Sequence, residues 1–562
     1  MLISYCFYAL FIIVPLILTP YNSELFEFNK MLAVYALTVI IAALWLIRMI
    51  VNRKLIFAKT PLDIPIFLFV LSQILSTIFS INQHTSVWGY YSRFHGGLLS
   101  TICYVTLFYA FVSNAVSAKK CLTVILSTGT LVALYGIAER LGIDKHIWIQ
   151  DVQSRVFSTL GQPNWLAAYL IALAPLSYKL VPLFLLVIFF TKSQSGLGAA
   201  LVVGILAVIL YLIKNKILKI ICIVLLVAAG IFYAYRLNLL TPFPQVIQLI
   251  KAENQTRAGG SSSMLIRRVV WQGALDIWKH YPLFGSGVET FAYSYYNFRP
   301  AAHNLLSEWD FLYNKAHNEY LNFLATTGAF GLGSYLILCA AILIQLIKHS
   351  RPLALGFISI LITNFFGFSV VPIALFFFMF PAFSLESPPE KNKHSPKNIF
   401  QIICISAILL FTFYILNFIV NLWRADYYYN LGRQNNFNYL NKAVSLNPSE
   451  SIYQNEMADQ LAMLGASQSA VLLSDAVTHA NPVSLNFRRT RVKILLLLSR
   501  LDQRYLNEAI DALLYSIKLA PTDAKLYYNL GVIYKQLNQI DLARQAFTKA
   551  LELKPDYDLK IP

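Results

Sequence analysis

Arginines and histidines cluster near the ends of apolar segments, where a membrane surface would meet water. An arginine guanidinium stays charged and can hold a phosphate through two parallel hydrogen bonds. A histidine can take up a proton near neutral pH and so activate a hydroxyl group. This combination suggests transfer of a group from a polyprenyl-diphosphate donor. The polar candidates are His84, Arg93, His95, Arg155, Ser193, Ser195, Arg267, Arg268, His303 and His317.

Other kinds of chemistry have no matching motif in the sequence. There is no Walker A loop, no HExxH pair, no GxSxG nucleophile turn and no DxD site for a metal-bound nucleotide. None of the six cysteines has the spacing of a metal site. The net charge of +18 is spread over short loops between apolar segments, which does not indicate nucleic acid. We therefore expect no metal, no cofactor and no nucleic-acid partner.

The elements that position these residues are expected to be membrane helices. The chain is 57% hydrophobic and 13% charged, with a mean hydropathy of +0.58, whereas soluble domains are about 25% charged. A helix needs about 20 apolar residues to cross a bilayer. The predicted spans are 4–20, 31–50, 62–80, 97–115, 121–139, 164–178, 180–191, 196–213, 218–235, 319–347, 352–367, 369–385 and 399–421.

Loop charges predict the orientation of this bundle. With the N-terminus inside, most basic loop residues fall on the inner side, including Lys391, Lys393 and Lys397, as the positive-inside rule requires. The candidate residues then share the outer side with a long loop, residues 236–316. Because this loop contains aromatic and glycine signals, we expect it to be ordered. With thirteen spans, residues 422–562 also lie outside.

The C-terminal region is predicted to be a helical repeat. Prolines recur at Pro448, Pro482, Pro521 and Pro555, and a period near 34 residues is typical of the tetratricopeptide repeat. The last unit is the most regular, and the third has an insertion near residues 499–505. Such repeats commonly bind a protein or peptide, although these could instead form a structural cap on the membrane domain.

The predicted fold is thus all-α, a polytopic transmembrane helical bundle of about 12–13 spans followed by tetratricopeptide-type repeats. The membrane domain covers residues 1–421 and includes the outer loop 236–316. The repeat domain covers residues 422–562.

Three stretches resemble the O-antigen ligase and polymerase superfamily, which also includes protein O-oligosaccharyltransferases. They are AHNEYLNFLATTGAFGLGSYL (316–336), RVVWQGALDIWKHYPLFGSGVETF (268–291) and SRVFSTLGQPNWLAAYL (154–170). The resemblance covers about residues 1–385. The family often has serine-arginine-glycine where this chain has Ser193, Gln194, Ser195 and Gly196, so that arginine is missing here.

The resemblance implies a metal-independent glycosyltransferase of the inverting type. Its donor is a glycan on undecaprenyl diphosphate, used on the outer face of the cytoplasmic membrane. By resemblance, His317 matches the essential histidine, and Arg155 and Arg268 match arginines that hold the diphosphate. Arg93, in YYSRFHGG, matches a further basic residue, and we add His303 as a candidate substrate-binding residue.

The acceptor stays open at this stage. A ligase transfers the glycan to a lipid core, a polymerase extends another lipid-linked glycan, and a third type modifies a protein. A transporter of lipid-linked glycan and a membrane scaffold that acts through its repeats are alternatives of other classes. The remaining expected partners are membrane lipids and a protein held by the repeats.

Overall fold

The computed structural model describes residues 1–236, 241–256, 261–385, 398–434 and 436–557. These residues form helices and connecting turns, and no strand occurs among them. The all-α prediction is confirmed. The predicted inner loop with Lys391, Lys393 and Lys397 lies outside the described residues.

The N-terminal part of the chain forms a helical bundle. The apolar segments predicted there, up to residue 235, each contain a helix. Its helices are α1 (Leu2–Leu16), α2 (Glu27–Asn52), α3 (Asp63–Ile78), α4 (Gln83–Trp88), α5 (Leu98–Ser113), α6 (Ala118–Arg140), α7 (Pro163–Leu173), α8 (Val181–Thr191), α9 (Gln194–Leu212) and α10 (Lys216–Arg236). Short 3₁₀ turns lie at Ser158–Leu160 and Ala174–Leu176.

The long loop is ordered where it is described. It contains α11 (Phe243–Thr256), α12 (Ser263–His280), α13 (Phe291–Phe298) and a 3₁₀ turn at Ala301–Leu305. These elements share an apolar core that includes Val269, Phe291 and Tyr295. Because α12 also packs on the membrane helix that follows the loop, the loop is fixed to the bundle.

The bundle continues with α14 (Glu319–His349), α15 (Arg351–Phe365), α16 (Val371–Phe383) and α17 (Ile399–Gly432). All thirteen residues of α16 are buried, and it contacts α2, α5, α7, α14 and α15. A helix that is apolar on every side belongs in the interior of a bundle. The break between α15 and α16 leaves Gly367, Phe368 and Ser369 outside both helices.

Among the described residues, six helices are long and apolar enough by themselves to cross a membrane, namely α2, α6, α9, α10, α14 and α17. The other predicted spans form shorter apolar helices of 10–17 residues. A 16-residue helix is about 24 Å long, somewhat less than the hydrocarbon core of about 30 Å. Non-helical backbone must therefore lie at membrane depth, where it is tolerated inside a protein.

A kink divides α14 at Gly328, whose φ is 68°. The segment after Pro282 fills the break: Gly287 donates its backbone N–H to the carbonyl of Thr326 (2.9 Å), and Ala329 donates to the carbonyl of Pro282 (2.8 Å). A Cβ on Gly328 would lie 2.3 Å from the carbonyl oxygen of Leu283. The PLFGSG segment therefore packs directly against the TTGAFG segment.

The other glycines of this helix make no close contact with another segment. Small residues such as Gly328, Gly331 and Gly333 can let two membrane helices approach closely. A Cβ on Gly333 would meet nothing within 4 Å, and one on Gly331 would meet Thr327 of the same helix. Of the three, only Gly328 lies in close contact with another segment.

The repeat domain begins as the continuation of a membrane helix. The 34 residues of α17 cross the predicted boundary between residues 421 and 422 without interruption. The following helices are α18 (Phe437–Leu446), α19 (Ser451–Met463), α20 (Ser467–Ala480), α21 (Leu485–Leu498), α22 (Arg504–Leu519), α23 (Ala524–Gln536) and α24 (Ile540–Leu553). They pack as consecutive antiparallel pairs, the first being α17 with α18.

The repeats lie against loops of the membrane domain. The side chain of Asn82 donates to Oδ1 of Asn481 (3.1 Å), and the ring of Tyr91 lies 5.7 Å from that of Tyr453. Asn304 of the long loop donates to the carbonyl of Thr522 (2.7 Å). The repeats and the long loop therefore lie on the same side of the bundle.

Candidate functional site

His317 lies in the short segment that joins the long loop to α14. Its φ of 51° is in the left-handed region, which costs a non-glycine residue about 1 kcal/mol and must be fixed by its surroundings. Trp271 Nε1 donates to the carbonyl of Ala316 (3.1 Å) on one side. On the other side, Asn318 caps α14 by accepting the backbone N–H of Leu321 (3.0 Å).

The imidazole of His317 faces a cleft built from distant parts of the chain. We call this the His317 cleft. The ring of His317 lies 5.5 Å from that of Phe368 and 5.7 Å from that of Tyr313. Among the described residues, neither ring nitrogen of His317 makes a hydrogen bond, so both are available to a substrate. The polar and aromatic residues that line the cleft are Gln162, Asn164, Trp165, Ser195, Arg267, His317, Thr363, Asn364, Phe366 and Phe368.

The surroundings keep His317 uncharged at neutral pH. Burial lowers its pKa to about 4, and the positive charges of Arg267 and Arg93 contribute to the shift. A neutral imidazole has a lone pair that can accept a proton, whereas an imidazolium has none. The cleft thus combines a proton acceptor with guanidinium groups.

Arg93 reaches this site from the loop between α4 and α5. Its guanidinium lies over the ring of Phe368 (4.9 Å) and over that of Trp165 (5.3 Å). Its Nη1 is buried and has no hydrogen-bond partner among the described residues. A buried donor without a partner is costly, so this nitrogen is well suited to an anionic ligand.

Phe368 was not singled out from the sequence. Its ring contacts Arg93, His317 and the ammonium of Lys315 (5.8 Å). The signal for it was present but weak: a glycine and a polar serine interrupt two apolar segments around this aromatic residue. Its position at the break between α15 and α16 places it in the centre of the site.

The two neighbouring arginines of α12 point in different directions. Arg267 lines the His317 cleft and donates from Nη1 to Oγ of Ser263 (3.0 Å). Arg268, the residue matched by the resemblance, donates to the backbone carbonyl of Thr241 and is not among the cleft residues. Successive residues on a helix are about 100° apart, so only one of the two can face the cleft.

Arg155 lies near the site without lining it. Its exposed side chain donates from Nε to the carbonyl of Thr191 (3.1 Å), just before α9. Ser193 and Ser195 follow, with their hydroxyl oxygens 3.2 Å apart, and Ser195 reaches the cleft. Arg155 therefore lies behind the part of the cleft that Ser195 lines.

His303 is placed in the core of the long loop. It is fully buried, its Nε2 donates to the carbonyl of Glu308 (3.3 Å), and its Nδ1 accepts from the hydroxyl of Tyr295 (2.9 Å). Burial and Arg299 lower its pKa to about 3. Its ring lies 5.5 Å from that of Tyr313, which also contacts His317. His303 therefore supports the wall behind His317.

Metal ligands do not gather in the part of the chain that the structure describes. No group of three or more histidine, cysteine, aspartate and glutamate side chains there could hold a metal ion.

Comparisons with known proteins match two parts of the chain. Residues 180–336 match a family model described as O-antigen ligase, and residues 524–557 match one for the tetratricopeptide repeat. No curated protein matches.

Solved structures of MamA are similar to part of this chain. The structure titled "MamA MSR-1 C2" is 23% identical and covers 23% of this chain and 76% of its own, with a TM-score of 0.20. "Crystal structure of MamA protein" is 21% identical and covers 29% and 88%, with a TM-score of 0.22. The two family matches show that this membrane protein carries an O-antigen ligase domain, matched from residue 180 through the His317 segment, and a tetratricopeptide repeat at residues 524–557.

Proposed function

We propose that this protein transfers a glycan from a polyprenyl diphosphate, of the undecaprenyl type, to an acceptor hydroxyl. The observation that carries the proposal is an uncharged His317 in a cleft that Arg267 lines, with Arg93 lying over the cleft residue Phe368. The O-antigen ligase match supports the same class of reaction. The reaction takes place on the outer face of the cytoplasmic membrane, and the repeats lie on that face.

In the proposed reaction, His317 accepts a proton, and Arg93 and Arg267 stabilise the leaving group. The acceptor oxygen attacks the anomeric carbon, the bond from that carbon to the phosphate oxygen breaks, and the diphosphate leaves with the electron pair. The acceptor proton passes to a ring nitrogen of His317. A single displacement inverts the anomeric centre. Arg93 and Arg267 hold the charge that develops on the diphosphate, which replaces the role of a metal ion.

Arg155 and Arg268 remain proposed diphosphate contacts on the strength of the family resemblance. The geometry favours Arg267 and Arg93 over them, because Arg267 lines the cleft and Arg93 packs on two of its aromatic residues. Separate replacement of Arg267 and Arg268 by glutamine tests the order. We expect Arg267→Gln to raise the KM for the donor at least tenfold and Arg268→Gln to have the smaller effect. The reverse order would indicate that Arg268, and not Arg267, contacts the diphosphate.

His317→Ala tests the proposed function directly. In purified protein supplied with a polyprenyl-diphosphate glycan, the variant should lose release of polyprenyl diphosphate by a factor of about 10² or more. His349→Ala is the matched control, since His349 is exposed at the far end of the same helix and bonds only to the carbonyl of Gln345 (2.8 Å). Unchanged activity in a folded His317→Ala protein would contradict the role of His317 as the proton acceptor.

The acceptor class is decided by glycan analysis of a deletion strain. Loss of long chains indicates a polymerase, loss of glycan on the lipid core indicates a ligase, and loss of glycoproteins indicates a protein glycosyltransferase. A transporter or a scaffold would release no free polyprenyl diphosphate. The repeats, on the face of the long loop, are placed to hold a protein partner or acceptor.

A further inference from the structure

A second cavity lies beside the His317 cleft and contains groups that the proposed reaction does not use. We call it the chamber. The two are immediate neighbours, since Phe368 lines the cleft and Ser369 lines the chamber. Likewise, His317 faces the cleft while Lys315 and Glu319, two residues to either side, face the chamber.

The chamber contains charged groups that are almost completely buried. Glu289 and Lys315 are 5% and 6% exposed and form an ion pair with each other. Glu319 also faces this space, and its Oε2 is buried with no hydrogen-bond partner among the described residues. Buried ions are costly to desolvate and contribute little to stability, so their presence calls for another explanation.

A histidine of the chamber is held in the uncharged form. His95 donates from Nε2 to the carbonyl of Ser369 (3.2 Å) and accepts at Nδ1 from the hydroxyl of Tyr104 (3.2 Å). With His95 neutral and Lys315 paired to Glu289, the Glu319 carboxylate has no cation bonded to it. The chamber is therefore rich in hydrogen-bond acceptors, whereas the His317 cleft is cationic.

Aromatic rings form the deeper walls of the chamber. The rings of Phe323 and Tyr335 stack at 4.4 Å, and that of Tyr335 lies 5.6 Å from that of Phe377. Tyr104 and Phe378 form a second stacked pair at 5.8 Å. Amide and hydroxyl groups of Gln73 and Ser100 complete the lining.

This lining fits a sugar ring better than the other parts of a lipid-linked glycan. Carboxylates accept hydrogen bonds from hydroxyls, and the C–H face of a sugar packs on an aromatic ring. A phosphate would be repelled by the carboxylates, and a hydrocarbon chain would leave the buried ions without partners.

We propose that the chamber binds the sugar ring next to the reacting bond, with its hydroxyls on Glu319 and on the Glu289–Lys315 pair. This inference rests on the proposed function, because it places the sugar beside a diphosphate in the His317 cleft. The ring belongs either to the donor, as the residue joined to the diphosphate, or to the acceptor.

The first test measures binding of a sugar without diphosphate or lipid. The probe is the free oligosaccharide that mild acid releases from the lipid-linked glycan of the same cells, and binding to purified full-length protein is followed by calorimetry. We expect Glu319→Gln to weaken binding about tenfold or more, because one carboxyl oxygen is replaced by an amide NH₂ that cannot accept a hydrogen bond. Arg267→Gln, in the cleft, is the matched control and should bind the probe like the wild type.

A second chamber variant covers the case in which Glu319→Gln fails to fold. Gln73→Met keeps the size of a side chain that is 1% exposed and removes its amide, and it should also weaken binding of the probe. Equal binding by the wild type and a folded chamber variant overturns the proposal, as does an equal loss in Arg267→Gln. Since this measurement needs no turnover, it can fail or succeed independently of the transferase activity.

Steady-state kinetics then assign the ring to one substrate. Glu319→Gln should raise the KM for only one of the two substrates. A rise for the donor places the first donor sugar in the chamber, and a rise for the acceptor places the acceptor sugar there. If both KM values stay at the wild-type level while kcat falls, the chamber does not bind the sugar.

Discussion

The protonation of His317 predicts an unusual pH dependence of activity. With a pKa of about 4, only about one-tenth of the imidazole is protonated at pH 5. With the ordinary pKa of about 6.5, nearly all of it would be protonated at that pH. The proton acceptor is lost only below the pKa. We therefore expect kcat/KM to stay within about 20% of its neutral value down to pH 5 and to fall by half near pH 4.

The assay is release of polyprenyl diphosphate by purified protein between pH 4 and pH 8. Folding at each pH is checked by circular dichroism, because acid can also unfold the protein. The cations beside His317 are Arg93 and Arg267, and the neighbouring chamber contains Lys315, Glu289 and Glu319. A midpoint near pH 6.5 in folded protein would refute the account of a buried histidine beside two guanidinium groups.

Removing one of the neighbouring charges tests the cause of the shift. In Arg93→Gln, the midpoint measured at saturating donor should move upward, because a positive neighbour no longer disfavours the imidazolium. It should stop short of 6.5, since burial is the largest cause and is retained. A downward shift, or none, would show that Arg93 does not act on His317 through its charge.

Three further variants test the parts that support the site. Arg299→Ala removes hydrogen bonds to Asn304, to the carbonyl of Trp309 and to that of Thr522. It should weaken docking of the repeats by about 2–4 kcal/mol. Amide hydrogen exchange in the 3₁₀ turn Ala301–Leu305 should become faster. Gly328→Ala places a Cβ against the carbonyl of Leu283 at a φ of 68°, and it should cost about 1–3 kcal/mol and lower the Tm. His303→Phe loses two buried hydrogen bonds and should lower the Tm while leaving the pH midpoint unchanged, whereas a shifted midpoint would show that His303 acts on His317 directly.

The fold was largely predictable because lipid imposes one rule on every spanning segment. Each apolar stretch of the sequence proved to contain a helix, and the proline period located the repeats. Helix lengths were less predictable. Local breaks at Ser177, Gly367 and Gly328 depend on which neighbouring segment supplies the missing hydrogen bonds. That information lies in tertiary contacts.

The site was predictable in part. Membrane topology and family resemblance both pointed to His317 and Arg93, and the structure brings these two together at Phe368. The choice between Arg267 and Arg268 depends on a rotation of about 100° around a helix, which a single sequence does not determine. His303 was chosen by residue type alone, and two buried hydrogen bonds place it in the wall of the site.

The structure also answers a question that counting spans left open. From charges alone, losing one span from the count would move the repeats to the opposite side of the membrane from the long loop. Arg299 and Asn304 of the loop bond to the carbonyl of Thr522 in the repeats, and Lys554 of the repeats donates to the carbonyl of Asn304 (3.3 Å). These bonds hold the two on one side whatever the number of spans.

The length of α17 is consistent with this placement. Its 34 residues extend about 51 Å, so about 20 Å remains beyond a hydrocarbon core of about 30 Å. That part pairs with α18 and begins the repeat stack. The repeats meet the bundle through the turns that contain their recurrent prolines, so the long loop is held between them and the membrane helices. A partner bound to the repeats would therefore act on the same loop that positions His317.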